Sequence, residues 1–366
     1  MRRLTAWLPA ALGTRRGRCC LQLQINIFGI LRAPRADGTE AMLVMAPWHV
    51  LMDGSPAFNN MGVVTLLLLA RHAAATRTWA KDVIFLLYDY RTGLPRWLEA
   101  YHGEAPPSAA FPRSGQIQLG LNLEIPFVSV GSIGLLIEGA NGRLPNLDLV
   151  NTVVRAAAAE RVPLHLFDTP TPLPAVAAAL DRRGLVGQLV APLLEPLVGS
   201  WEDYVRATTT LWTGMWRQAT GHNPGGHAVA LPYRIESLTL RGTFHRPRTH
   251  ATPPVELRSI ARYGAARCWV AHAWASAWLS SRRCRLLAPA RSRVVESVLY
   301  SGNNLLERFH QSFFFYLLPS PTRYLSIALY IPVVIGFAVA LAAMISACSS
   351  ALGGVGPSPS ACTWPP

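Results

Sequence analysis

Three side chains near the ends of apolar runs could take part in metal chemistry. His49 and Asp53 follow the run AMLVMA, and Asp89 follows the run VIFLLY. Zinc is bound in proteins by histidine nitrogens and carboxylate oxygens, so residues of these types at neighbouring strand ends are candidate ligands. His49, Asp53 and Asp89 are therefore weak candidates for the remnant of a metal site.

The same region lacks other groups that a two-zinc hydrolase needs. Asn59 and Asn60 stand where a bridging carboxylate is required, and Tyr90 cannot act as the general base. A catalytic metal pair depends on both kinds of group. We therefore expect no bound cofactor and ordinary solvated loop residues here, and a zinc-dependent hydrolase is the alternative.

A second polar group lies just before a long apolar segment near the carboxyl end. His310, Gln311 and Ser312 lead into the aromatic run FFFYLL. At helical spacing, one apolar face is formed by Leu305, Leu306, Phe309 and Phe313. Aromatic side chains with polar neighbours settle at the membrane surface, so the three polar side chains are predicted to hydrogen-bond a lipid headgroup. An interfacial amphipathic helix without a ligand is the alternative.

One segment is predicted to cross a membrane. Residues 325–347 carry no charge and are long enough to span a bilayer as a helix. Arg323 and Tyr324 precede this segment, as charged and aromatic residues do at the headgroup level. Pro332 within it is tolerated in a membrane helix. Charge alone would place the arginine-rich side of the helix in the cytosol.

The first residues imitate a secretory signal. Residues 1–12 contain an arginine pair and then TAWLPAAL, which is barely long enough for an apolar signal core and is broken by Pro9. Residues 1–21 are therefore treated as an arginine-rich stretch outside the folded domain, with a signal sequence as the alternative.

Strand and helix patterns alternate between residues 22 and 245. Strands are predicted for 22–31, 41–46, 83–88, 116–124, 128–138 and 233–241, the first two paired as a hairpin. Helices are predicted for 61–75, 95–102, 144–160, 186–197 and 204–219, with Asn59 and Asn60 as caps of the first. Gly225, Gly226 and His227 are predicted to form a turn. This order predicts an α/β domain with a largely parallel sheet and functional residues at the carboxyl ends of its strands.

Six runs of residues carry a family resemblance. They are NIFGILRAPR (26–35), WAKDVIFL (79–86), RWLEAYH (96–102), NGRLPNLDLVN (141–151), YRIESLTLRG (233–242) and LLERFHQSFFFYLLP (305–319). In this order they resemble the glycosylphosphatidylinositol (GPI) anchor attachment protein family. Because six runs agree, the resemblance is more specific than a single motif.

The resemblance implies a protein of the endoplasmic reticulum membrane whose lumenal domain has the fold of di-zinc aminopeptidases. With this fold, the alternative function is that of a zinc-dependent aminopeptidase-like hydrolase. It implies assembly with the other GPI transamidase subunits, including the cysteine-protease-like catalytic subunit, and contact with the GPI lipid. In that family this subunit helps to present the lipid and does not supply the nucleophile, so the chain is expected to be non-catalytic. Similarity to the family's anchor-binding segment supports lipid contact by His310, Gln311 and Ser312. The resemblance places the arginine-rich side of the helix in the lumen, whereas charge alone places it in the cytosol. The orientation that the resemblance implies is preferred.

The chain also departs from the family. The family has a membrane helix before the domain and further spans after the one predicted here, so we expect a shortened or alternatively spliced form, with a non-functional product as the alternative. The expected division is an unrelated arginine-rich start (1–21), the α/β domain (22–245), a disordered Arg/Ala-rich insert (246–294), a juxtamembrane amphipathic helix (295–324), the transmembrane helix (325–347) and a short polar tail (348–366).

The strong positive charge does not indicate a nucleic-acid partner. The net charge is +14 and the pI is about 10.2, but Lys81 is the only lysine. An excess of arginine alone is typical of compositional bias, and no recognition-helix or RNA-stacking motif accompanies it. The six cysteines all lie outside 26–245, so the predicted domain needs no disulfide.

Overall fold

The computed structural model describes residues 26–35, 37–52, 54–104, 111–126, 131–167, 200–221, 224–243, 290–305 and 315–353, with isolated positions between 181 and 196. The strands are β1 (Ile27–Leu31), β2 (Glu40–Pro47), β3 (His49–Met52), β4 (Ser55–Phe58), β5 (Asp82–Tyr88), β6 (Gln116–Glu124), β7 (Ser132–Leu136), β8 (Leu164–Leu166), β9 (Glu236–Thr243), β10 (Tyr316–Ser320) and β11 (Arg323–Ser326). The helices are α1 (Asn60–Ala75), α2 (Gly93–His102), α3 (Leu147–Ala159), α4 (Trp201–Thr220), α5 (His227–Ala230), α6 (Ala290–Asn303) and α7 (Ile327–Gly353). The predicted segment 1–21 lies outside the described residues, and the predicted helix 186–197 lies largely outside them. The insert predicted for 246–294 is described only from residue 290, where α6 begins, and the tail predicted for 348–366 only to residue 353, where α7 ends.

A seven-stranded, mostly parallel sheet forms the centre of the fold, as predicted. Its order is β1-β5-β2-β6-β9-β7-β8. The strands β5, β2, β6 and β9 run parallel, whereas β1 is antiparallel to β5 and β7 is antiparallel to β9. Every residue of β5 is buried, which explains its continuous apolar run, since such strands are covered on both faces.

The predicted hairpin of β1 and β2 is wrong because β5 lies between them. β1 pairs antiparallel with β5, and β2 pairs parallel with its other edge. The segment after β1 is held to the start of β5 by the Asp82 carboxylate. One oxygen accepts a hydrogen bond from the Arg32 guanidinium at 2.8 Å, and the other accepts from the Ala33 amide at 2.7 Å. These bonds direct the chain toward β5 instead of into a tight turn.

Helices cover both faces of the sheet and create two apolar layers. One layer contains side chains of α1, α3 and α6. The other contains side chains of α2 and α5 together with Phe28 of β1. The result is a three-layer α/β arrangement, in which each face of the sheet is removed from water.

Helix α6 belongs to the first of these layers although it follows the 244–289 segment. Its buried side chains are Val294, Val295, Val298 and Leu299. The Oδ1 atom of Asn303 accepts hydrogen bonds from the amides of Ala80 at 2.7 Å and Lys81 at 3.2 Å, immediately before β5. Helix α6 is therefore part of the domain's core. The amphipathic helix predicted for 295–324 is wrong in extent, because α6 ends at Asn303 and residues 316–326 form two strands.

A short hairpin connects the domain to the apolar helix α7. β10 packs against α4 and pairs antiparallel with β11. Tyr316 of β10 is buried, and its hydroxyl donates to the carbonyl of Pro145 at 2.8 Å. Of the described helices, α7 is the one long and apolar enough to cross a membrane, over Ile327–Ala347, and none of that length is buried in the fold. The predicted span differs from it by two residues at its start.

Candidate functional site

The residues predicted to contact a lipid headgroup lie outside the described residues. His310, Gln311 and Ser312 fall between the ranges 290–305 and 315–353. The description resumes at Phe315, directly before β10, so in the chain these three residues precede the hairpin that leads into α7. Their contact with lipid stays a prediction.

Two of the three candidate metal ligands are described, and they lie at the same edge of the sheet. Asp53 lies outside the described residues. His49 begins β3 directly after β2, and Asp89 directly follows β5. Because β2 and β5 are neighbouring parallel strands, their carboxyl ends meet at one edge.

The contacts of His49 and Asp89 are those of residues that shape loops. The His49 ring lies edge-on to Phe58, with centroids 5.5 Å apart. The Oδ2 atom of Asp89 accepts from the amides of Arg91 at 3.3 Å and Thr92 at 3.5 Å, in the turn before α2. Within the described residues, no group of three or more His, Cys, Asp or Glu side chains is arranged to hold a metal ion. The described donors therefore do not fit a pair of zinc ions.

Asn59 is fully buried and ties the end of β2 to the end of β6. Its Nδ2 donates to the carbonyls of Pro47 at 2.9 Å and Leu123 at 2.7 Å. Its Oδ1 accepts from the amide of Ile125 at 2.7 Å. A carboxylate here would face two carbonyl oxygens without a hydrogen to donate, so the site selects an amide. The predicted capping role of Asn59 is wrong, because its side chain makes no cap hydrogen bond to α1.

The first turn of α1 is instead satisfied by the end of β6. The carbonyl of Ile125 accepts from the amides of Met61 at 3.0 Å and Gly62 at 3.1 Å. A Cβ atom at Gly62 would lie 2.4 Å from the Asn59 amide group. The glycine is required because α1 starts directly against the buried Asn59 side chain.

A chain of hydrogen bonds crosses the sheet face beneath α5. The Tyr88 hydroxyl donates to Oδ1 of Asn122 at 3.0 Å, and Nδ2 of Asn122 donates to Oγ1 of Thr239 at 3.0 Å. The Thr239 hydroxyl lies 2.7 Å from Nδ1 of His227. Nε2 of His227 lies 3.0 Å from the carbonyl of Glu138. This buried network is the largest polar feature that the sequence reasoning missed.

The hydrogen-bond partners fix the state of His227. The Glu138 carbonyl only accepts, so Nε2 carries the proton and Nδ1 accepts from the Thr239 hydroxyl. Burial lowers the pKa of His227 to about 3, and burial raises the pKa of Tyr88 well above its usual value. Both side chains are therefore neutral and hydrogen-bonded at physiological pH. The arrangement is that of a buried network in which both side chains are held by hydrogen bonds.

Two arginines neutralise the buried carboxylates beside this network. The Nε atom of Arg241 donates to Glu124 at 2.9 Å. The guanidinium of Arg217 on α4 lies 3.9 Å from the Glu138 carboxylate and 4.9 Å from the centre of the Phe167 ring. Buried charges are tolerated when they are paired in this way. Arg241 of β9 is thus joined to Glu124 at the end of β6, and Arg217 joins α4 to Glu138, two residues after β7.

The glycines before α5 allow this close packing. A Cβ atom at Gly226 would lie 2.1 Å from the Tyr88 hydroxyl, and one at Gly225 would lie 2.7 Å from Oγ1 of Thr239. The turn predicted for this segment is present ahead of α5. This turn does more than reverse the chain, because it packs the backbone of Gly225 and Gly226 against Tyr88 and Thr239.

The sequence did contain a signal for the network. In β6 and β9, the polar residues that alternate with leucines are Gln118, Asn122, Glu124, Ser237, Thr239 and Arg241. Alternation places such residues on one face of the sheet. If β6 and β9 are known to be neighbouring central strands, their alternating polar residues predict a polar face that is buried.

Comparison with known proteins identifies the chain's relatives. A family model described as "Gaa1-like, GPI transamidase component" matches residues 24–256 and 288–355. The match covers the α/β domain and also α6, the hairpin and most of α7.

Two curated relatives are fungal. GPI transamidase component gaa1 of Schizosaccharomyces pombe is 29% identical over 314 residues, which cover 84% of this chain and 43% of the relative. GPI transamidase component GAA1 of Saccharomyces cerevisiae is 27% identical over 320 residues, which cover 87% of this chain and 41% of the relative. The chain spans less than half the length of each.

Solved structures with a similar fold include zinc aminopeptidases. The LapA aminopeptidase of Legionella pneumophila has a TM-score of 0.39 and 11% identity, over 77% of this chain and 57% of that chain. The zinc aminopeptidase BSAP of Bacillus subtilis has a TM-score of 0.37 and 12% identity, over 79% of this chain and 52% of that chain. At this level the likeness does not extend to a shared site or activity.

Proposed function

Because the chain belongs to the Gaa1-like family of GPI transamidase components, we propose that it is a non-catalytic, membrane-anchored subunit that helps to present the GPI lipid for attachment to proteins. The observation that carries this proposal is the family match, which includes both the domain and the segment from α6 into α7. In the proposal its partners are the other transamidase subunits, including the cysteine-protease-like catalytic subunit.

The contacts of the polar side chains support a non-catalytic role. Asn59 uses its amide group on three backbone partners, and His227 is buried and neutral within its network. The described His, Cys, Asp and Glu residues form no cluster suited to a metal. Zinc content of the purified protein, measured by mass spectrometry, tests this point. About one or two zinc ions per chain would contradict it, since catalytic zinc sites hold one or two metals.

We propose that the lipid contact is made just ahead of the membrane helix. His310, Gln311 and Ser312 are separated from β10 by three phenylalanines, and the hairpin then leads directly into α7. A GPI headgroup with phosphate and sugar hydroxyls would offer acceptors and donors to these side chains. In this proposal the span lies in the endoplasmic reticulum membrane and the α/β domain lies on the lumenal side.

The test is complementation in cells that lack their own Gaa1-like subunit. The chain is expressed there, its co-purification with the remaining transamidase subunits is measured, and surface display of a GPI-anchored reporter is scored. Assembly with restored display would support the proposal. Assembly without display would contradict a role in lipid presentation, and loss of co-purification would overturn membership of the complex in favour of a non-functional product.

A triple variant tests the lipid contact separately. Changing His310, Gln311 and Ser312 to alanine is expected to lower reporter display while the amount of protein and its co-purification stay unchanged. The matched control changes Ser320 and Thr322 to alanine, in the adjoining hairpin turn. Equal display by both variants and the unaltered chain would contradict lipid contact at these three residues.

A further inference from the structure

We propose that one face of helix α4 rests in the lipid headgroup region, as a second membrane contact beside α7. The face is formed by Trp212, Met215 and Trp216, whose spacing places them together on adjacent turns. Their exposed fractions are 53%, 38% and 66%, respectively. This group of three residues is called the tryptophan face below.

The polarity of α4 is inverted relative to an ordinary surface helix. A surface helix normally turns its apolar stripe toward the core. Beyond the first turn of α4, where Trp201 is buried, the buried side chains are Thr209, Thr210 and Thr213, and these hydroxyls bond to carbonyls of the preceding turn. The large apolar side chains of the tryptophan face point outward instead. An exposed apolar face of this kind marks a surface that contacts a membrane or another molecule.

The inward face of α4 is firmly attached to the domain, so the helix cannot simply rotate to bury its tryptophans. A Cβ atom at Gly214 would lie 3.3 Å from the Phe167 ring, which shows close packing at the centre of the helix. Arg217 is paired with the buried Glu138 carboxylate. The outward position of Trp212 and Trp216 is therefore fixed by contacts on the opposite side.

The position of α4 indicates that the tryptophan face contacts the membrane. α4 packs against β10, β10 pairs with β11, and β11 ends one residue before α7 begins. Helix α4, which carries the tryptophan face, and the β10–β11 hairpin therefore form one packed unit. This unit leads directly into the apolar helix α7. Tyr316 secures this unit to the domain through its bond to Pro145.

Other side chains on this unit have the composition of a membrane interface. Phe315, directly before β10, is 68% exposed, and Tyr324 on β11 is 46% exposed. Arg323 beside it is also exposed. Tryptophan and tyrosine concentrate at the headgroup level, where an apolar ring meets water, and arginine extends its charged end toward phosphates. If a soluble protein covered the tryptophan face, exposed aromatic and arginine side chains would not also be needed along the hairpin that leads into α7.

Two contacts would orient the domain on the bilayer. A single span attached through a hairpin leaves a domain free to tilt, whereas a second contact on α4 fixes one side of it toward the lipid. This inference depends on α7 crossing a membrane and is independent of assembly with transamidase subunits. Its failure is therefore distinguishable from failure of the proposed function.

Quenching of tryptophan fluorescence by brominated lipid tests the proposal with the full chain. The purified protein is placed in phosphatidylcholine nanodiscs whose acyl chains carry bromine either near the headgroup or near the chain end. The chain has eleven tryptophans, so the contribution of the tryptophan face is taken as the difference between the unaltered chain and the Trp212→Phe/Trp216→Phe double variant. We expect the double variant to lose quenching, and the lost part to be larger for bromine near the headgroup.

The matched control is Trp201→Phe, because Trp201 lies on the same helix but is buried. It should leave the membrane quenching unchanged. Thermal unfolding of all three proteins checks that the variants are folded, and phenylalanine keeps the exposed face apolar. Unchanged quenching in the double variant would overturn the proposal and leave a protein partner as the occupant. Stronger quenching from bromine near the chain end would also contradict a headgroup position.

Discussion

The rings of Trp79 and Tyr300 are stacked, with centroids 4.9 Å apart and 3° between their planes. Trp79 lies just before β5, and Tyr300 lies on α6, which follows the 244–289 segment. Trp79 is also bonded through Nε1 to the carbonyl of Ala73 at 3.0 Å, at the end of α1. The stack therefore joins α1, the start of β5 and α6 at one point, and it makes α6 a part of the domain's core.

Removing the stacked ring is expected to destabilise the domain. Tyr300→Ala should lower the free energy of unfolding by about 2–4 kcal/mol, since it removes a large, partly buried aromatic side chain and its ring contact. Chemical denaturation of the full chain in detergent, followed by tryptophan fluorescence, measures this. The control is Ser301→Ala on the exposed side of the same helix. Equal stability of the two variants would contradict a core role for α6.

The buried amide of Asn303 should matter for a different reason. Asn303→Ala leaves the amides of Ala80 and Lys81 without their acceptor, and an unsatisfied buried amide costs about 1–3 kcal/mol. Ser301 lies on the exposed side of the same helix, so Ser301→Ala should change stability by less than about 0.5 kcal/mol. The same denaturation experiment compares them. A similar loss in both variants would show that α6 does not dock through Asn303.

The variants Asn59→Asp and Asn60→Asp test whether the buried Asn59 side chain holds the ends of β2 and β6 together. Asn60 is the neighbouring residue, at the start of α1. In Asn59→Asp the carboxylate would face the carbonyls of Pro47 and Leu123, so burial should raise its folded-state pKa above about 3.9. The variant should be least impaired at acidic pH and lose further stability as the pH rises through that pKa. Asn60→Asp places a negative charge at the start of α1 and should be neutral or stabilising by about 0.3–1 kcal/mol.

Unfolding curves of both variants at several pH values measure this difference. A matching pH dependence for the two variants would contradict this role of Asn59. Zinc measured in the same samples is a useful second reading, because a restored bridging carboxylate that gained metal would revive the metal-site interpretation.

His227 should make the fold sensitive to acid. Its folded-state pKa is about 3, below the value of about 6.5 in the unfolded chain, so the unfolded chain binds the extra proton first. The contribution of His227 to stability is present above about pH 6.5 and is lost as the pH falls toward 3, with a slope of at most about 1.4 kcal/mol per pH unit.

Two variants isolate the titration of His227 from the loss of its contacts. His227→Gln should flatten the decline of stability between pH 6.5 and pH 3, because glutamine does not titrate. Thr239→Val removes the hydroxyl that bonds to Nδ1 and should lower stability by about 1–3 kcal/mol while the decline remains. The prediction fails if His227→Gln retains the slope of the unaltered chain.

The sequence located the longer elements of the α/β domain but not their pairing, and it missed the short strands β3, β4, β8, β10 and β11. Apolar runs and periodicity located β5, β6, α1 and α2 almost to the residue, because each pattern is local. The position of β5 between β1 and β2 depends on long-range contacts such as those of Asp82, which no local pattern contains. The sequence predicts an insert that extends to residue 294 and a juxtamembrane helix after it, and so misses the buried face that Val294, Val295, Val298 and Leu299 give to α6.

The polar site illustrates the same limit. His49 and Asp89 were correctly expected at one sheet edge because strand ends are visible in sequence. The role of Asn59 was not visible, since its three partners belong to two strands far apart in the chain. The network from Tyr88 to His227 was missed for the same reason, although the alternation in β6 and β9 suggested which face was polar.

The place of α6 in the core also sets an order of events during synthesis. A ribosome adds roughly 5–20 residues per second, so α6 emerges several seconds after β9. During that interval the nascent domain has all seven strands of its sheet and lacks the helix whose Gly302 fits against Met42 and Leu119. The growing chain must pass through a state with this apolar surface uncovered, which is a natural binding site for chaperones. Because Tyr316 and Leu318 of β10 belong to the same apolar layer as α6, the core of the domain is complete only after the hairpin has followed α6 out of the ribosome.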